Sequence, residues 1–500
     1  MAVISFQSLP VATQTAALAS MIAISLCSYT LFCVIYNLFF HPLRRFPGPL
    51  LAKVSGAWAR VQNFYGRKAH KIHEAHIHYG PVVRIGPNML SFSDPSALRD
   101  IYTSKAFVKE GGFYRAKRIY HEEHLLSFTD PEAHSQRRKL LSRGFSQSAM
   151  RDFEPKVASK IYTVLDQWAK IASTSDSAVD IFRWTHMLGF DTVYHLMFDV
   201  DPGTVKTGVE SEVMQYMRAW KLIYIYKEFV PLLENWGIYV PGYIGSYFRK
   251  VHAWKKMAIG IVNSCRANGT KTAFLSRVLE TGDGKSRPLL TDSILAEECM
   301  SGMFGGSGTT ANTFVYLVWA TAQQPDIIRR LQEELDKCFP DTSTISDYLT
   351  CNKLPYLNAV IYETMRLYPS TIAILPRTSI ENTTVANMTI PKGTIVGTQN
   401  YTTHRCEDVF PQADKFIPER WLVDDPTPLK EAFTPFSLGP RKCIGLNLAE
   451  MELRILTASF FRRFNVSLDS SMKMEDMVQY DTFNAAPVGA KLLVHLVERK

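Results

Sequence analysis

The sequence predicts a mainly α-helical domain with small β-sheets, preceded by one N-terminal transmembrane helix. Three observations carry this reading. No Lys, Arg, Asp or Glu precedes Arg44. Most of the chain beyond residue 90 repeats apolar residues at helical spacing. Runs with strand character are few, short and bounded by Gly or Pro.

Ala16 to Phe40 is a predominantly apolar stretch, and at ~1.5 Å per residue a helix of that length spans a hydrocarbon core of ~30 Å. A cleaved leader has a basic start and a shorter apolar region. Here the cations Arg44, Arg45 and Lys53 follow the segment, which places the rest of the chain in the cytoplasm. Residues 1–40 are read as a membrane anchor. Residues 41–49, with Pro42, Pro47 and Pro49, are a stiff hinge, because proline fixes φ. Residues 50–500 show no linker or repeat and are read as one large domain.

Strands are expected at Val82-Val83-Arg84-Ile85, at Thr394-Ile395-Val396 and from Lys491 to Val497, with a small sheet near the N-terminal half. Thr291 to Gln323 reads as one long helix capped by Thr291 or Asp292, and its uncharged middle, Ser301 to Leu317, is expected to be buried. That middle holds Gly302, Gly305, Gly306 and Gly308, each costing about 1 kcal/mol relative to alanine. Their bare backbone suits the close approach of another group. A phosphate loop is excluded, since no Gly-Lys follows. Pro325 to Cys338 is amphipathic, with Ile327, Ile328, Leu331 and Leu335 on one face and i,i+4 pairs Arg329–Glu333 and Arg330–Glu334 on the other. His70, His73, His76 and His78 crowd one segment, read as a solvated helix because no acid or cysteine set completes a metal shell.

The formal charge of +9 has no concentrated basic stripe, so nucleic acid is not an expected partner. The short clusters Arg137-Arg138-Lys139 and Arg441-Lys442 read either as solvated surface or as a face for an acidic redox partner. The eight cysteines form no paired framework, which fits a reducing compartment.

One cysteine stands apart. Cys443 lies in the turn Phe436-Ser437-Leu438-Gly439-Pro440-Arg441-Lys442-Cys443-Ile444-Gly445, beside two cations and ahead of a helical run. Positive charge and a helix N-terminus favour a thiolate there. No second ligand stands at zinc spacing, and a lone thiolate suits the axial position of a haem iron.

This stretch matches the Phe-x-x-Gly-x-Arg-x-Cys-x-Gly signature of the cytochrome P450 family, and the chain resembles that family from about residue 40 onward. Glu363-Thr364-Met365-Arg366 matches its Glu-x-x-Arg. Pro418-Glu419-Arg420-Trp421 resembles its Pro-Glu-Arg-Phe, with Trp in the last place. Gly305 to Thr310 resembles its oxygen-activation motif. The general style is similar to fungal microsomal members.

The resemblance implies the cytochrome P450 fold, a haem b held by the Cys443 thiolate, and an enzyme that oxidises a lipophilic small molecule. It implies O₂, an NADPH-dependent flavoprotein reductase as electron donor, and a single-pass anchor in the endoplasmic reticulum membrane with a cytosolic catalytic domain. A secondary-metabolite intermediate is the expected kind of substrate. Arg441, Arg138, Arg377, His134 (in place of a family Trp) and Phe436 are the implied haem contacts. Glu363, Arg366 and Arg420 are the implied structural ion triad. Thr309 is the implied proton-relay alcohol. The acid that usually precedes it is replaced by Gly308, so water, Ser307 or a substrate hydroxyl is expected to serve. Phe113, Tyr114, Leu125, Met303, Phe304, Ile374 and Phe483 are the expected pocket residues. Two alternatives stay open on the same haem: radical coupling that forms C–C or C–O bonds without oxygen insertion, and peroxide isomerisation or dehydration independent of a reductase.

Overall fold

A computed structural model describes residues 11–174, 178–268, 274, 278, 290–340 and 346–499. Residues 1–10 of the expected anchor and Lys500, the last residue of the large domain, lie outside them. Seven helices and one sheet position the site: α1 (Val11–Ile35), α2 (Pro131–Leu141), α3 (Ile181–Phe198), α4 (Asp292–Ala322), α5 (Pro325–Cys338), α6 (Pro355–Leu367) and α7 (Leu446–Arg463).

The α1 helix continues through a widened turn to Phe40. The stretch Gln14–Phe40 is 27 residues long with mean hydropathy 2.1, and none of its most apolar window is buried against the domain. It is long and apolar enough to cross a membrane. The following hinge is stitched down rather than free: Leu43 and Phe46 are buried, and the Arg84 N–H donates to Pro47 O at 2.7 Å.

The main sheet has five strands, β1 (Val82–Gly86), β2 (Met89–Phe92), β3 (Phe107–Lys109), β4 (Arg377–Ser379) and β5 (Ile395–Thr398), in the order β1-β2-β5-β4-β3. Only β2 and β5 run parallel. The expected placement near the N-terminal half is therefore corrected: β4 and β5 come from the other half of the chain. A second sheet pairs Leu493–Glu498 with Val179–Asp180 and Phe464–Leu468.

α4 begins as expected, with Thr291 Oγ1 accepting from the Ile294 N–H at 3.3 Å. Its middle is buried against α3 at a close crossing. A Cβ on Gly189 would lie 2.4 Å from Ser307 O, one on Gly302 2.8 Å from Met197 Cε, and one on Gly306 2.7 Å from Val193 Cγ2. A Cβ on Gly308 would lie 2.5 Å from Asn484 Nδ2, whereas one on Gly305 would meet nothing within 4 Å among the described residues. The four glycines thus divide. Three allow the protein to pack on itself, and Gly305 alone leaves open space.

On α5 the expected apolar face is buried and the Arg329–Glu333 pair forms at 3.1 Å. The Arg330–Glu334 pair does not. Arg330 reaches Glu419, and Glu334 instead accepts the Tyr356 and Leu357 N–H groups at 2.8 Å each. A carboxylate at the start of α6 satisfies free N–H groups and meets the positive end of the helix dipole. The histidine-rich helix is not wholly solvated either: His76 is buried and its Nε2 lies 2.7 Å from Ser91 Oγ.

Candidate active site

The turn that ends at α7 is fixed from both sides. The Cys443 N–H closes it onto Phe436 O at 2.9 Å and the Lys442 N–H onto Gly439 O at 3.1 Å. Gly439 has φ +65°, and a Cβ there would lie 2.4 Å from Tyr102 O, so only glycine fits. The turn presents Cys443 to a cavity of about 320 Å³ between α4 and α7.

Cys443, Arg441, Phe436, Arg138, His134, Thr309, Leu125, Phe304 and Phe483 all line that cavity. Burial pushes the Cys443 thiol above its ordinary range, and a hydrogen bond from the Gly445 backbone and the charge of Arg138 oppose that only in part. Metal coordination would supply the remainder, because a ligating thiol is deprotonated outright.

The cations around the cavity make no ion pairs among the described residues. Arg441 donates to the main-chain oxygens of Phe128, Thr129 and Asp130, and Arg138 to Lys442 O at 2.8 Å. Arg377 sits just behind the wall and donates to Tyr114 Oη at 2.7 Å and to Leu375 O and Pro376 O. A fourth cation was not foreseen. Lys109, buried and on the cavity wall, donates to Leu126 O at 2.7 Å. It is paired directly with Arg377 across β3 and β4. Burial and the charges of Arg441, Arg377 and Arg138 drive its ammonium well below the ordinary range. Among the described residues none of the four has a carboxylate partner. Like charges opposed across strands repel, so the cluster is built for an anion that the chain itself does not provide. A planar group bearing two carboxylates fits this donor set, and Cys443 on the same wall fits its metal. His134 beside them is held neutral by burial and by these cations, its pKa pushed down to about 3.

Thr309 Oγ1 donates to Gly305 O at 2.7 Å, leaving its lone pairs for the cavity. Ser307 does not face the cavity. Two positions from both Gly305 and Thr309, it lies on the opposite face of α4 against Gly189. Met303 is fully buried and Ile374 nearly so, and neither they, Phe113 nor Tyr114 line the cavity. Tyr114 is a partner of Arg377, and Phe113 packs on Phe483 with ring centroids 6.3 Å apart. The cluster Arg137-Arg138-Lys139 is also divided. Arg137 pairs inward with Glu298 at 2.6 Å and Arg138 lines the cavity, so of these three cations only Lys139 is exposed.

Two buried acids, one on α4 and one on α7, were given no role by sequence. Glu298 lines the cavity. Glu452 is buried beneath Thr310, another cavity residue. Burial pushes the Glu452 carboxyl up to about 8 against the pull of the Thr192 and Thr310 hydroxyls, and its Oε2 has no hydrogen-bond partner among the described residues. Glu298 shares the helical phase of Thr309, a phase common to ordinary core positions, while Glu452 comes from another helix and meets the site only through packing.

Away from the cavity, the ion triad closes completely. Arg366 makes a two-pronged pair with Glu363, at 2.9 Å for each bond, and Arg420 Nε donates to Glu363 Oε1 at 3.0 Å. The remaining Arg366 donors reach the main-chain oxygens of His404, Ala413 and Lys415.

Comparison with known proteins gives a consistent answer. Residues 46–494 match the family model described as Cytochrome P450. The chain is 31% identical to cytochrome P450 monooxygenase tazI of Aspergillus terreus, over 92% of this chain and 95% of that protein. It is 30% identical to cytochrome P450 monooxygenase stcB of Emericella nidulans, over 89% and 87% of the two chains. It is 29% identical to benzoate 4-monooxygenase bphA of Aspergillus niger, over 87% and 89%.

Proposed function

The chain belongs to the cytochrome P450 monooxygenase family, and on that premise we propose that it is a membrane-anchored haem-thiolate enzyme that oxidises a lipophilic small molecule. Residues 1–40 serve as the anchor, 41–49 as the hinge and 50–500 as the catalytic domain. The membrane is that of the endoplasmic reticulum, with the catalytic domain on the cytosolic side and an NADPH-dependent flavoprotein reductase as electron donor. The cations after α1 support that orientation.

The observation that carries the reading is Cys443 on one cavity wall with four cations that lack acids beside it. Cys443 would ligate the iron of haem b. Arg441, Arg138, Arg377 and Lys109 would receive its propionates through charge-assisted hydrogen bonds, with His134 and Phe436 as further contacts on the cavity wall. Bound there, haem would supply the chemistry of O₂ cleavage, in which one oxygen goes to the substrate and the other leaves as water with two electrons and two protons.

The chain's own part is to bind, dry and protonate. Leu125, Phe304, Leu375 and Phe483 give the cavity an apolar wall that excludes water and holds a lipophilic substrate. Thr309 offers a hydroxyl at the open face beside Gly305. Burial raises the Glu452 carboxyl to about 8 beneath Thr310, which lines the cavity, and Glu452 is proposed as the proton source in place of the acid missing at Gly308. The substrate is proposed to be a secondary-metabolite intermediate.

The test is the reduced carbon-monoxide difference spectrum of membranes containing the protein, beside Cys443→Ala. The expected result is a strongly red-shifted Soret band that the variant loses. No such band from folded, haem-loaded protein overturns the proposal.

A further inference from the structure

One stripe of α4 runs the length of the cavity: Glu298, Ser301, Gly302, Gly305 and Thr309 all line it, at the spacing that puts residues on a single helix face. Thr309 stands at the reacting end. Ser301 lies eight residues away, about 12 Å along the axis, and Glu298 almost a turn further. The wall between is Leu125, Leu126, Phe304, Ala373, Leu375 and Phe483.

The hydrogen bonds at the far end have a fixed direction. His124 is buried, and its Nε2 lies 3.1 Å from Lys117 O. A carbonyl only accepts, so Nε2 carries the ring proton. Burial and the nearby cations Lys109, Lys227 and Arg118 keep the ring neutral, its pKa pushed down to about 3. Nδ1 is then bare and must accept, and the group 2.9 Å away is the Ser301 hydroxyl. Ser301 therefore spends its only proton on His124 and turns lone pairs to the cavity.

Glu298 beside it behaves alike. Its Oε1 accepts from Arg137 Nη1 at 2.6 Å and its Oε2 from the Leu125 N–H at 3.0 Å. Burial raises this carboxyl to about 7 against the pull of Arg137 and the Leu125 N–H, so above that pH it is a carboxylate with further lone pairs and no donor. The far end of the cavity thus presents a pair of acceptors beside the apolar side chains of Leu125, Leu126 and Phe304.

The geometry points to a polar anchor at Ser301 and Glu298 that selects elongated lipophilic substrates carrying a hydrogen-bond donor, a phenol or an alcohol, at the end remote from the carbon that is oxidised. This deepens the proposed function and rests on it.

The test uses two rigid two-ring probes, 4-phenylphenol and its methyl ether 4-methoxybiphenyl, with dissociation constants read by equilibrium dialysis against the haem-loaded full chain. The expected result is a preference for the phenol of about three- to tenfold, the range of one net hydrogen bond. Ser301→Ala should abolish that preference while ether binding stays within about twofold, and Ser301→Thr, which keeps the hydroxyl, should restore it. Equal affinities in the unmodified protein, or a preference undiminished in Ser301→Ala, overturn the inference. The carbon-monoxide spectrum of the same preparation reads the haem separately. A normal band without phenol preference overturns the anchor alone, and a missing band overturns the haem assignment alone.

Discussion

Trp421 donates its indole N–H to Glu363 Oε2 at 3.0 Å. Glu363 is fully buried and also accepts from Arg366, Arg420 and the Ile417 N–H, so its two oxygens receive five hydrogen bonds. The Trp that departs from the family's Phe is therefore a working donor. Trp421→Phe should retain haem and lose about 1–2 kcal/mol, somewhat less than a full bond to a charged group. Glu363→Ala strands two buried arginines and should cost about 3–5 kcal/mol and yield protein without haem. Urea midpoints by far-ultraviolet circular dichroism, with the haem-to-protein ratio, check both. An unchanged midpoint in Trp421→Phe, or normal haem in Glu363→Ala, contradicts this account.

Lys109 and Arg377, opposed in register across β3 and β4, repel one another until an anion arrives. Lys109→Met removes that repulsion and also removes a propionate donor. The two states should respond in opposite directions. The haem-free variant should be at least as stable to urea as its parent, while the loaded variant should release haem to an acceptor globin about tenfold faster, the worth of roughly one charge-assisted bond. Unaltered haem release would take Lys109 out of the cradle.

What could be read before the structure was what is local in the chain. The Cys443 turn, the Thr291 cap and the Glu363–Arg366 spacing each lie within a few residues, and each is found as written. What could not be read depends on register or on packing between distant segments. Lys109 gains its meaning only by facing Arg377, 268 positions later. The acceptor role of Ser301 follows from a carbonyl at Lys117 that fixes a tautomer of His124. Helix faces also misled where two partners competed. Glu334 was due to pair with Arg330 and instead holds the start of α6. Ser307 shares a motif with Thr309 but not a face.

Gly308 stands where the family usually has an acid, and Asn484 explains it. The Asn484 Nδ2 group occupies the place of the missing side chain, and Asn312 Nδ2 holds that region by donating to Ala485 O at 2.8 Å. In an open helix Gly→Ala stabilises by about 1 kcal/mol. Here Gly308→Ala should destabilise by about 1–3 kcal/mol through overpacking. In an Asn484→Ala background the same substitution should turn neutral or stabilising, a non-additivity that a double-mutant cycle measures directly. Additive effects would mean that Asn484 is not what excludes a side chain.

Acid should unfold this protein through buried neutral histidines. His404 is the clearest case: its Nε2 accepts from the Thr434 N–H at 3.0 Å, and Nδ1 faces Arg366 O at 3.2 Å. A proton on Nε2 would point at another donor. Burial and Arg366 accordingly lower its pKa to about 3. His124 and His134 are lowered likewise to about 3, and His76 and His186 to about 4. Below pH ~6.5 the unfolded chain takes up protons that the fold refuses, so stability is complete above that pH and falls toward these lower values, by up to about 1.4 kcal/mol per pH unit for each histidine. Buried Glu298, Glu452, Asp191 and Asp481, all raised by burial, bind protons in the fold and oppose this, but they are fewer than the histidines. The urea midpoint should therefore drop between pH 7 and pH 5, and His404→Gln should make that drop shallower. A midpoint that holds steady or rises as the pH is lowered would show that the carboxyls dominate instead.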